Sequence, residues 1–338
     1  MRRALFVSLV LALTILLLPG SALATPKPEA GSGDGHGRVF FPNPVAQLQD
    51  QSLTDQKDAD YAALQPAYRT VTLTDLDNSG YLSGRWAVVI NAVGGLAYSG
   101  DKTFLYGRND NRFEQVMAYY WVTESEKYIQ SLGFGSSRRG INDHPQQIKI
   151  NQFGGDNSFA KDQQATLTFG KGGVDDAEDA EVILHEYGHA IHFDQSPDFY
   201  NSDEAGSIGE GFADYWAVTV TNVIAPTPDA PCVADWDSVS YTVDEPHCLR
   251  RVDTDLHYPE DLNEKVHHDG QIWSRALWDI RQALGHVHAD TLILTAQFDF
   301  PGTTMPDLAA RTVAAAQALY GNAAANAVRD AFEDRGIL

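Results

Sequence analysis

The chain has 338 residues, 43 % of them hydrophobic, and sets 46 Asp and Glu against 24 Lys and Arg, for a formal net charge of −22 at pH 7. Such an acidic surface repels phosphate backbones and offers no basic groove, which argues against nucleic acid as a partner. It favours solubility and leaves room for calcium (Ca2+) outside a cell.

Residues 1–24 combine Arg2 and Arg3, an apolar run from Leu5 to Leu18, a Pro19-Gly20 break and Ala22-Leu23-Ala24. This is the pattern of an export signal cleaved near Ala24. The run is short for a bilayer span and nothing later is comparable, so the expected mature chain is secreted, extracellular or periplasmic, with no stable membrane anchor. Residues 25–44 are rich in Gly, Pro and small polar residues without apolar periodicity, which predicts a flexible leader. Over 71–106, short β-prone runs alternate with turn clusters such as Asp77-Asn78-Ser79-Gly80, and a β-rich lobe follows. Asp75 to Gly80 begins like a calcium loop, but its twelfth position is Trp86, where an EF-hand needs a bidentate Glu, so a β-turn is the better reading.

Asn111 and Glu114 form a capping-box pattern that opens a helix with an aromatic stripe, Phe113, Tyr120, Trp121 and Tyr128, stopping at Gly133. The stripe reads as core. Ile148 and Ile150 mark one strand and Thr166 to Phe169 another, with a polar turn region between.

Next comes His185-Glu186-Tyr187-Gly188-His189. Histidines four apart on a helix project from one face and can hold a single ion, leaving Glu186 beside the metal. Asp175-Asp176 offers the N-cap of a helix over 176–193, with Glu178, Asp179 and Glu181 read as a solvated face in preference to calcium ligands. Catalytic zinc (Zn2+) usually has three protein ligands, and the best third candidate is Glu210. It opens an amphipathic segment preceded by Ser207 and including Ile208, Phe212, Tyr215 and Trp216. Asp214, one turn on, suits a carboxylate that accepts the free ring N–H of a ligand histidine, His185 first. His192 shares the helical spacing and reads as a partly exposed structural residue.

Cys232 and Cys248 are an even pair in an exported chain and predict a disulfide; two thiols at a metal are the alternative. Helices follow over 270–284, 289–297, 309–320 and 323–332. The expected organisation is a β-rich N-terminal lobe over 45–195 ending in the metal helix, and a helical lobe over 196–338, with the site in the cleft between them.

The motifs resemble those of the thermolysin-like gluzincin peptidases, closest to the fungalysins. His-Glu-Tyr-Gly-His and Gly209-Glu210-Gly211-Phe212-Ala213-Asp214 are similar to the fungalysin His-Glu-Tyr-Thr-His and Gly-Glu-Gly-Trp-Ser-Asp. Gly188 and Phe212 depart from that pattern. Asn157-Ser158-Phe159-Ala160 resembles the edge segment that pairs with the substrate backbone, which implies that role for Asn157 and the backbone of Ser158. Val266-His267-His268-Asp269-Gly270-Gln271-Ile272-Trp273 resembles Val-His-Ala-Ile-Gly-Glu-Val-Trp, which implies His267 as the transition-state histidine, with His268 its rival. Tyr200 falls at the interval of a tyrosine that helps hold the oxyanion. The resemblance implies a two-lobed α+β zincin fold and a monomeric, secreted zinc endopeptidase acting on proteins or peptides, with Glu186 as general base. Such peptidases typically carry a large pro-domain, for which this chain leaves no room. A pseudo-peptidase binding module and a gluzincin exopeptidase are the alternatives. Intact Glu186, Asp214 and His267 speak against the first, and the lack of a motif that holds a free N-terminus speaks against the second.

Overall fold

The computed structural model describes residues 33–161, 165–301 and 304–338, so the expected export signal and the start of the expected leader lie outside the described residues. Residues 33–44 are not a flexible leader. Gly33–Phe40 form strand β1, and Asn43 caps a short helix, α1 (Pro44–Leu48), by accepting from the Ala46 amide. β1 is the middle strand of a three-stranded sheet, antiparallel to β2 (Tyr68–Leu76) and parallel to β4 (Thr103–Phe104). The glycines that suggested flexibility serve close approach. A Cβ at Gly35 would lie 2.4 Å from Lys102 O, and one at Gly37 would lie 2.6 Å from Val116 Cγ1.

A second sheet has the order β3-β5-β7-β6, built from β3 (Ala87–Ala92), β5 (Gln146–Ile150), β6 (Ser158–Lys161) and β7 (Thr166–Phe169). β3, β5 and β7 are parallel, and β6 runs antiparallel along the edge. The polar stretch between the two predicted strands thus contains a strand of its own. Helix α2 (Phe113–Ser131) packs against both sheets, and Phe113 and Trp121 of its aromatic stripe are fully buried. Its expected capping box does not form. Arg112 takes the cap position without a side-chain bond, and Glu114 is buried instead, its carboxyl pushed well up by burial and by Glu178 and Asp175. At 77–80 the turn reading stands, with the Ser79 amide donating to Asp77 Oδ1 at 2.8 Å.

The remaining helices are α3 (Ala180–Gln195), α4 (Asp203–Ile224), α5 (Val266–Leu284), α6 (His286–Gln297), α7 (Met305–Tyr320) and α8 (Asn322–Glu333). Between α4 and α5, β8 (Cys232–Val233) and β9 (Arg250–Arg251) form an antiparallel ribbon. Cys232 and Cys248 are disulfide-bonded, with Cα atoms 5.3 Å apart, which closes the thiol alternative.

Three sequence expectations need correction around α3. Its N-cap is Asp179, which accepts from the Glu181 amide, because residues 176–178 form a separate 3-10 turn. Glu178, Asp179 and Glu181 are buried, so they do not form a solvated face. The Glu178 carboxylate accepts from Arg108 Nε at 3.0 and 2.8 Å, Asp179 from the amides of Trp236 and Asp237, and Glu181 from the Ala234 amide and Thr221 hydroxyl. These acids tie the 234–237 loop to the start of α3. Helix α4 begins well before Glu210: Ser202 caps it through the Ala205 amide, with Asp203 and Glu204 in its first turn. Gly206, Gly209 and Gly211 hid that start, since glycine reads as a helix breaker.

Candidate metal centre

α3 carries His185 and His189 on one face, and α4 crosses it closely enough to bring Glu210 opposite them. The crossing depends on Gly188, where a Cβ would lie 2.9 Å from Ala213 Cα. This departure from the family motif therefore faces α4. α4 and α5 meet still more tightly, since a Cβ at Gly211 would lie 2.3 Å from Gly270 O. That contact brings the first turn of α5, with His267, beside Glu210.

His185 Nε2 lies 3.2 Å from His189 Nε2 and 3.2 Å from Glu210 Oε2, and His189 Nε2 lies 3.6 Å from the same oxygen. Tetrahedral ligands about 2.0–2.1 Å from one ion stand about 3.3 Å apart, so donor set and spacing both fit zinc. Glu210 Oε2 is buried without a hydrogen bond, as an atom meant for an ion would be. The three residues form a cluster able to hold a metal.

Around these donors lies a supporting layer. Asp214 Oδ1 is 2.8 Å from His185 Nδ1, and a carboxylate can only accept, so the proton sits on Nδ1 and Nε2 is left free. Asp214 in turn receives both Arg250 Nε and Nη2 at 2.7 Å. Burial works to raise the Asp214 carboxyl, but Arg250 and His185 outweigh it and hold it well below the usual range. Sequence reasoning missed Arg250. No helical spacing or motif marks it, and only its place on β9, two residues past Cys248, brings it under the site.

The Tyr200 hydroxyl lies 3.2 Å from His189 Nδ1 and so touches a ligand histidine, whereas the family resemblance implied an oxyanion donor. Gly209 leaves space for its ring. Glu186 stands beside the cluster. Ser158 Oγ donates to its Oε1 at 3.0 Å, while Oε2 is buried without a partner. Ser158 was expected to act through its backbone, and the contact it makes to the site is this side-chain bond. Asn157 is exposed just ahead of edge strand β6.

His267 Nε2 is 3.4 Å from Glu210 Oε2, with the side chain 62 % exposed to the cleft. His268 turns away to Asp269 Oδ1 at 3.1 Å. His192 is fully buried against Phe199, Tyr200 and Phe212, which corrects the expectation of partial exposure. Two recesses share Asn157, Ser158, His185, Glu186 and His267. One continues past His189 to Phe193 and Tyr200, the other past Val182 to Val233 and Leu249.

Residues 166–332 match the family described as fungalysin metallopeptidase. Among solved structures, the precursor of protealysin, a metalloproteinase from Serratia proteamaculans, superposes with a TM-score of 0.55 at 16 % identity. That superposition covers 89 % of this chain and 99 % of that one. No curated protein gives a significant match. The fungalysin resemblance and the two-lobed, thermolysin-like α+β fold read from the sequence both hold.

Proposed function

Starting from a chain whose helical half matches the fungalysin metallopeptidases, we propose that the protein is a secreted, monomeric zinc endopeptidase. The carrying observation is the convergence of His185, His189 and Glu210 on one point, with a partnerless Glu186 oxygen beside it. The two recesses that diverge from Glu186 favour a bond cut within a peptide over removal of a terminal residue. Residues 1–24 would direct export, and the lobes would divide near residue 195.

His185, His189 and Glu210 would hold zinc, which when bound acts as a Lewis acid and lowers the pKa of water toward about 7. The Glu186 carboxylate takes the proton of the attacking water on Oε2 and passes it to the leaving amine, while Ser158 fixes the orientation through Oε1. His267 Nε2 donates to the oxygen that gains charge, where one preorganised donor is worth about 2.7–4 kcal/mol. Asp214, kept ionised by Arg250, holds His185 in the tautomer that leaves Nε2 free. Tyr200 steadies His189 from its other nitrogen. Asn157 and the edge strand β6 would receive the substrate as an added extended strand.

Glu186→Gln should lower kcat on casein by about 10²-fold or more, with zinc content by elemental analysis unchanged. Wild-type cleavage by that variant would remove Glu186 from its role.

A further inference from the structure

We propose that the recess running from Glu186 past Val182, Val233 and Leu249 is a subsite for the cationic side chain of a Lys or Arg next to the scissile bond. This proposal rests on the peptidase reading above. The recess has a cavity volume of about 90 Å³. Its walls join three aliphatic side chains to two aspartates, Asp176 and Asp237. They are only 2 % and 4 % exposed, and Oδ1 of each is buried without a hydrogen-bond partner. Asp156, Asp176 and Asp237 each bring an oxygen within 4.8 Å of the others. A buried carboxylate oxygen without a donor is costly, and a positive charge between the two repays that cost. Burial first, and then Asp156, push the Asp176 carboxyl up to about 8 and outweigh a Ser158 hydrogen bond, while burial and then Asp176 push the Asp237 carboxyl well up against the opposing charge of Arg250.

Four charged groups in or next to the recess are already committed. Arg250 spends its guanidinium on both oxygens of Asp214. Glu181 accepts from Thr221 and Ala234, and Asp156 accepts from the Tyr241 hydroxyl at 2.7 Å. Glu186 serves the reaction. Asp176 and Asp237 keep free acceptors.

A side chain suits the recess better than a metal ion. Calcium takes six to eight oxygens and gains nothing from aliphatic walls. Lys and Arg carry an apolar stem that packs on such walls and a charged tip that needs acceptors. The recess also opens directly on His185, Glu186 and His267, where a substrate residue beside the cut bond would enter.

The test uses zinc-loaded full-length protein and paired peptides that differ only in Lys, Arg, norleucine or Leu at either residue flanking the cleaved bond. Norleucine keeps the aliphatic stem and lacks the charge. The expected result is a kcat/KM at least about 10-fold higher for Lys or Arg at one flanking position, with Asp237→Asn lowering the Lys-to-norleucine ratio by about 10-fold. Calorimetric binding of the same peptides to the Glu186→Gln protein reads the subsite without turnover, and Lys should again exceed norleucine. Cleavage that is equal for Lys and norleucine, or that favours Leu, overturns the subsite while leaving the peptidase reading intact. If no peptide is cut, the peptidase reading falls, and equal binding of Lys and norleucine then removes the subsite as well. One equivalent of Ca2+ that binds wild type, fails to bind Asp237→Asn, and abolishes the Lys preference overturns the proposal in favour of a metal site.

Discussion

Arg250 shows how much of the site depends on a residue with no motif. Asp214 is 1 % exposed, and Arg250 is its charge partner. Removing one member of a buried pair leaves the other uncompensated, so Arg250→Met should destabilise the fold by about 3–5 kcal/mol in denaturant titrations. It should also weaken zinc by about 10–100-fold in chelator competition, because Asp214 no longer orients His185. Wild-type zinc affinity in a folded Arg250→Met protein would separate the pair from metal binding. His192 has no partner on either ring nitrogen, and burial, helped by His189, pushes it down to about 3 from 6.5. Its folded pKa is depressed, so the neutral ring contributes stability that is present above about pH 6.5 and is lost as pH falls toward 3. Unfolding free energies of wild type should drop by on the order of 2 kcal/mol more than those of His192→Phe between pH 7 and pH 5. Parallel pH curves for the two proteins would exclude this residue as the source. The spacings of His185 with His189 and of Glu210 with Asp214 were legible because helical periodicity is written along each of the two segments. Arg250 and the bond from Ser158 to Glu186 join distant segments, and no local pattern records them.

Helix packing was legible in kind and blurred at its ends. The expected helices of the C-terminal half exist, yet α4 and α5 begin earlier than their apolar periodicity indicates, because their first turns carry glycines, acids and histidines. The first turn of α5 carries His267, and the second turn of α4 carries Glu210. The glycines of α4 and α5 look like weak points in a helix and are points of contact. Gly211→Ala would bring a methyl to 2.3 Å from Gly270 O, where only backbone could give way. The expected cost is about 1–3 kcal/mol of stability. Because Glu210 and His267 sit next to the crossing, kcat/KM should fall by more than that lost stability explains. A folded variant with wild-type kcat/KM would show that the crossing does not set the geometry of the site. On the β side, the stretch expected to be a loose leader supplies the middle strand β1. Its sequence, Gly33-Asp34-Gly35-His36-Gly37, has the composition of a linker, and only the neighbours it must pass reveal why.

At the scale of the whole molecule, the two-lobed plan was readable from the order of β-prone and helix-prone segments, while the contents of the recess beside Glu186 were not. Asp176 and Asp237 lie on either side of the metal motif in sequence, and only the 234–237 loop folding back on α3 unites them. The net charge of −22 also acts at this scale. Strand β6 is an edge, and among the described residues no strand pairs with its outer side. An edge open enough to accept a substrate strand is equally open to a strand from a second copy of the chain. The acidic surface keeps copies apart, since like charges repel across about 10 Å at 0.1 M salt. Light scattering should therefore show a monomer at pH 7 and low salt, and self-association as the pH approaches the isoelectric point of about 4.7. A monomer across that whole range would mean that β6 is protected by its geometry. With β6 as the proposed substrate edge, the surface charge that argued against nucleic acid as a partner has a second consequence, colloidal in nature: it opposes the filling of that edge by the protein itself.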